Sequence, residues 1–318
     1  MRWWAAGLVM YSFAAPSSIM GVAFTFSHAG LLVGTLGCIV VMGASAAGAL
    51  LLTDLTAACP DAKMLSDVGR SALGPVGEQI GLVLQMVNFV LYLPVALLTT
   101  AQALQDTLQP EGTTCTNYFV FAVALVCFAS TQVRDLANST PLAIVALIAS
   151  VMVALLQLVV VVSHPSSDTK ARAVGSAATT AQGIEMALSL TACAWAYVPS
   201  LLTVELAHVV GSARELRQAI ALSACLSMAS FIGVGFSVAA LWGSDVPDPV
   251  TLSASWPKHS ATARVMSGLL ALANLVSYGL DSVPFCRWCA PPPPPVPPHP
   301  PVPPHPPVPR HPLTLTTP

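Results

Sequence analysis

The chain has 318 residues, 55% of them hydrophobic and only 8% charged, with a mean hydropathy of +0.73. Soluble domains carry about 25% charged residues, so the composition excludes a water-soluble globular protein and implies an all-α polytopic membrane protein. A formal net charge of -2, with basic residues scattered along the chain, gives no basis for nucleic-acid binding.

About 20 apolar residues cross a hydrocarbon core, and about eight transmembrane helices are predicted. The first covers residues 4–26. Arg2 before an apolar run resembles a leader, but the run continues past Ala15 and contains Pro16, Ser17 and Ser18, which fits a spanning helix better. The second, 31–52, has no charge, and residues 54–77 form a polar loop with Lys63 and Arg70. The third, 80–101, carries Asn88, Tyr92 and Pro94. The fourth, 116–132, is short. Pro141 suits the first turn of the fifth, 141–162. The sixth, seventh and eighth are residues 186–207, 220–242 and 265–283.

With the first helix leaving the cytoplasm, Arg2, Lys63, Arg70, Arg134, Arg214, Arg217 and Arg287 share the cytoplasmic side. Lys170, Arg172, Lys258 and Arg264 fall on the other side. The excess places the N-terminus in the cytoplasm. Residues 289–318 form a separate, proline-rich disordered tail. Residues 291–318 hold 16 of the 28 prolines in loose V-P-P-H-P repeats, a composition that favours polyproline II and suits a proline-binding module. No metal site is expected. Cys286 and Cys289 lack a second pair, and His299, His305 and His311 sit in the unstructured tail.

Two spans carry helix breakers among polar residues: residues 15–21, APSSIMG, and residues 196–200, AYVPS. Pro199 sits near the middle of the sixth span, which is read as interrupted near residues 197–200. Unwound backbone is tolerated at membrane depth only where protein or a cavity shields it. There, exposed N–H groups can meet a carboxylate and free carbonyls an ammonium, as an α-amino acid requires. Glu205, in the same span, is expensive in lipid and is the coupling candidate. A structural pairing with Arg214 or Arg217 is the competing reading. Asn274, Ser277 and Tyr278 stand at i, i+3 and i+4 and are expected to share a face.

The stretches SSIMGVAFTF (17–26), GLLVG (30–34), LTDLTAACP (52–60), DVGRSALG (67–74) and YVPSLLTVE (197–205), with residues 264–284, resemble the amino acid/auxin permease family. These are the transmembrane amino acid transporters of the amino acid–polyamine–organocation superfamily. The resemblance covers residues 5–288. It implies a leucine-transporter-like fold of two five-helix halves in inverted repeat, commonly eleven helices, so that the chain would be incomplete. It also implies a substrate site formed by Ser17, Ser18, Ile19 and Gly21 facing Ala196, Tyr197 and Ser200, with Asn88, Tyr92, Asn274, Ser277 and Tyr278 as neighbours. Pro16 and Ser18 stand where the family usually has glycine, and Ala23 where it usually has proline.

The function so implied is secondary active amino acid transport, with a co-transported proton and sodium as the other possible co-ion. The location is the plasma membrane or a vacuolar or lysosomal membrane, with lipid and the amino acid as partners. The alternative is a non-transporting amino-acid sensor, or a truncated regulatory relative of a transporter. No HExxH, GxSxG or phosphate loop suggests an enzyme.

Overall fold

A computed structural model describes residues 1–59, 62–109, 115–130, 140–164, 183, 187, 191, 200–243, 246 and 256–289. Of Ala14, Ser17, Ser130, Ser200, Leu201, Asp281 and residues 283–289 it describes the backbone alone. The described elements are helices: α1 (Trp3–Ala29), α2 (Leu31–Ala58), α3 (Leu65–Leu108), α4 (Thr116–Ser130), α5 (Thr140–Ser163), α6 (Ser200–Val210), α7 (Ala213–Trp242) and α8 (Ala261–Cys289). Five stretches are long and apolar enough to span a bilayer, in α2, α3, α5, α7 and α8, and α1 makes a sixth when its two bent halves count as one. α4 is apolar but shorter. The chain is a multi-pass integral membrane protein. Of the sixth expected span, most lies outside the described residues, and so does the proline tail.

α1 is apolar on every side, as suits a helix enclosed by others. It packs most extensively on α7 and also touches α5, α8, α2 and α6. Among the rest, α2, α6 and α7 pack together and α3, α4, α5 and α8 pack together, and the two groups also meet where α5 packs on α7 and α3 touches α6. The outward faces are apolar too. Leu32, Val40 and Leu51 on α2, Val83, Leu84 and Val90 on α3, and Phe121 and Phe128 on α4 are exposed, and only lipid accommodates such a surface.

Helix ends differ from the sequence expectation where polar residues are helical. α2 runs to Ala58, six residues past the expected end, because the hydroxyls of Thr53 and Thr56 bond back to the Ala49 and Thr53 carbonyls within the helix. The expected 54–77 loop is largely helical. Residues 65–73 form an arm that opens with Asp67 reaching back to the N–H groups of Lys63 and Met64, both at 2.9 Å. The arm ends at Gly74, whose φ of 66° favours glycine, and Pro75 starts the long remainder of α3. Gly69 and Gly77 allow the arm to fold onto α3, backbone against backbone. α7 starts at Ala213, not residue 220, with Glu215 at the positive end of its dipole. α8 starts at Ala261, where the Ser260 hydroxyl accepts the Ala263 N–H at 3.1 Å.

One end of the bundle gathers Arg2, Lys63, Arg70, Arg214 and Arg217. There the N-terminal amine donates to the Val209 carbonyl at 2.8 Å, and Arg217 pairs with Asp54. At the other end the Trp242 indole N–H donates to the His164 carbonyl at 3.1 Å, Trp256 meets Trp242 edge-on at 5.9 Å, and Arg264 donates to the Thr107 carbonyl at 3.1 Å.

Candidate functional site

The site grows from a defect in α1. Pro16 has no N–H for the Ser12 carbonyl, and its ring crowds that turn. α1 bends through 64° between its halves Trp3–Phe13 and Ser18–Ala29. The backbone keeps helical geometry throughout. The interruption expected over residues 15–21 is thus a bend, and it falls at residues 14–17.

A bend exposes carbonyls on its open side to other donors. The Phe13 carbonyl accepts the Ser277 hydroxyl at 2.8 Å and the Tyr92 hydroxyl at 3.1 Å. The Tyr92 and Phe13 rings are stacked, with centroids 6.0 Å apart and planes 7° from parallel. One residue earlier, the buried Ser12 hydroxyl lies 2.7 Å from the Leu8 carbonyl and 3.0 Å from that of Ala143 on α5. Three helices, α1, α3 and α8, therefore meet at one backbone oxygen, and a fourth joins beside it.

The residues singled out from the sequence separate on this frame. Tyr92 and Ser277 reach the bend directly. Asn88, one turn before Tyr92, is half-buried. Asn274 is buried, with its amide nitrogen 3.5 Å from the Thr99 hydroxyl, and its amide oxygen has no hydrogen-bond partner among the described residues. Tyr278 turns away and packs beside Ala101, Val123 and Cys127 against α4. The shared face expected for Asn274, Ser277 and Tyr278 therefore fans across three neighbours, α3, α1 and α4. Ser18 and Gly21 are half-buried just past the bend, whereas Ile19 points into the apolar core with Met20 and Val22. The Ser17 side chain, Ala196 and Tyr197 lie outside the described residues, and Ser200 is placed only as the first residue of α6.

Glu205 is 2% exposed. Its neighbour Val204 packs on Ala62 and Val68, and Leu202 and Leu206 pack with Met10 and Phe13 of α1. Arg217, one of the two arginines expected as the structural partner of Glu205, pairs with Asp54 at the exposed end of the bundle.

Sequence reasoning missed Phe13, Ser12 and Thr99. Pro16 does mark the Ser12 carbonyl by the i−4 rule. Nothing marks Phe13, because its contribution is a main-chain oxygen. Tyr92→Phe and Ser277→Ala are each expected to cost about 1 kcal/mol. Together they are expected to cost more than the sum, because only then is the buried carbonyl unanswered. A double-mutant cycle on unfolding in detergent checks this.

The family described as transmembrane amino acid transporter protein matches residues 1–288. No curated protein matches the chain.

Proposed function

Because the chain belongs to the transmembrane amino acid transporter family, we propose that it carries amino acids across a membrane by alternating access, coupled to a proton. The observation that carries this reading is the 64° bend of α1, with its Phe13 carbonyl turned to hydroxyls from α3 and α8. Past the bend, Ser18 and Gly21 are only half-buried, and this side of α1 is the proposed place for the carboxylate. The oxygens of Phe13, Tyr92 and Ser277 suit an ammonium group. The two ends of a zwitterion are thereby received on opposite sides of one bend.

In the inverted-repeat reading, α1 and α6 occupy matching places in the two halves. The group α1, α2, α6 and α7 rocks against α3, α4, α5 and α8, with the Phe13 contacts at the boundary. Glu205 is the carboxylate proposed to sense the proton, and the N-terminus is cytoplasmic. The proline tail is available to a proline-binding module.

Uptake of labelled amino acids into proteoliposomes tests this. Imposed proton and sodium gradients in separate arms identify the co-ion. Gradient-driven uptake by the wild type, with a lost or shifted pH dependence in Glu205→Gln, is the expected result. Unchanged pH dependence in that variant removes Glu205 from coupling. Binding without flux in any arm marks a sensor instead.

A further inference from the structure

At the end that gathers the basic residues, a cavity of about 300 Å³ opens between α2, α6 and α7. Its walls include Thr53, Thr56, His208, Ser212 and Leu216, and of the residues lining it His208 alone carries an ionisable side chain. His208 is exposed. Its Nε2 contacts the Ala62 carbonyl, in the joint between α2 and the arm of α3. A carbonyl only accepts, so Nε2 carries the hydrogen. In the neutral ring Nδ1 is then a lone pair, able to accept a proton from water in the cavity. Glu205 stands three residues earlier on the same helix, so the two side chains share a face.

We propose that His208 is where the transport proton is read at this end: Nδ1 takes a proton from cavity water, and the charged ring holds the Ala62 carbonyl more tightly. Hydrogen bonds from charged donors are stronger than neutral ones. Protonation therefore favours the arrangement in which α6 is latched to the α2–α3 joint, and that differential interaction is what coupling requires. His208 is a positioning residue, and it touches no substrate. The inference rests on the transport reading for its purpose, while the latch is open to test without transport.

The charged groups on the elements packed against the helix of His208 are Glu205 on α6 itself, Asp54 on α2 paired with Arg217 on α7, and Arg214 and Glu215 in the first turn of α7. Lys63 is in the joint, Asp67 caps the arm, Arg70 pairs with Glu78 on α3, and the N-terminal amine sits on Val209. Asp61, in the same joint, lies outside the described residues. His208→Gln retains an N–H at the position of Nε2 and leaves all of these in place, but cannot gain the proton.

Two readouts test the proposal on the full-length protein. The first is limited trypsin cleavage after Lys63 in detergent, taken as the ratio of wild type to His208→Gln at each pH so that protease activity cancels. The ratio is expected near one at pH 8 and about fivefold lower at pH 5.5, the difference between a neutral and a charge-assisted bond. A ratio that stays flat with pH overturns the proposal. If His208→Gln does not fold, His208→Asn serves as the reference. The second readout is the pH profile of proteoliposome uptake, expected to flatten in His208→Gln with flux retained; an unaltered profile overturns the coupling role. A pH-dependent cleavage ratio with no flux in the wild type sustains the latch and sinks the transport reading.

Discussion

Gly77→Ala is expected to prevent recovery of folded protein, or to lower its stability by more than about 3 kcal/mol, beyond the usual cost of an overpacked core. A Cβ on Gly77 would stand 2.2 Å from the Gly69 carbonyl oxygen, and one on Gly69 would stand 2.2 Å from the Gly77 carbonyl oxygen. Both obstacles are backbone, so no rotamer change relieves them. The arm, residues 65–73, would have to lift off α3, and with it the surface that Ala62 and Val68 offer to Val204 of α6. Gly43→Ala is the matching control. It lies in α2 with no atom near the new methyl, and it is expected to be neutral or slightly stabilising. Thermal unfolding of the two variants in one detergent compares them directly.

The second large effect is expected at Gly235. A Cβ there would stand 2.6 and 2.8 Å from the Cδ2 and Cε2 atoms of Phe26. Phe26 is 1% exposed. It cannot retreat, because Gly34 of α2 closes its other side: a Cβ on Gly34 would stand 3.1 Å from the Phe26 Cα. The two glycines make a socket that fixes the second half of α1 to α2 and α7. Gly235→Ala should therefore cost about 1–3 kcal/mol and impair transport. Phe26→Leu, added to it, should recover part of both losses by removing the ring edge. A double variant no better than the single one would mean that the socket is not what makes position 235 intolerant.

How much of this was readable in the sequence depends on which atoms do the binding. Hydropathy reports long apolar runs, so α5 was readable to within a residue at each end, and α2 and α7 at one end each. Pro16 announced the bend, because a missing N–H has a fixed consequence in any helix. The arm at residues 65–73 was misread as loop, since Ser66, Asp67, Arg70 and Ser71 look like solvent-facing linker. The glycines that seat the arm carry no hydropathy signal. Tyr92 and Ser277 stood out as hydroxyls in apolar helices, but their shared target is a main-chain oxygen, which looks alike at every position. Tyr278 was grouped with Ser277 because adjacent positions fall on one broad helical stripe. That stripe is wide enough to touch both α1 and α4, and only the packed structure divides it.

These features give a consistent physical picture. Small residues at positions 7, 34 and 235 bring neighbouring helices or side chains close to α1, where van der Waals packing and interhelical hydrogen bonds are the available forces in lipid. Pro16 then sacrifices one internal bond at the centre of the bundle. The hydroxyls of Ser277 and Tyr92 stabilise the turn that is left.

The most direct measurement is substrate protection of a thiol placed at the bend. Ser18→Cys in proteoliposomes would be labelled with a small maleimide and read peptide by peptide by mass spectrometry, with and without a saturating mixture of L-amino acids. A pocket at the bend predicts that the mixture slows labelling of residue 18 while leaving the exposed Cys115, just before α4, unaffected. Labelling of residue 18 at the same rate in both conditions, in vesicles that still accumulate amino acids, would contradict it.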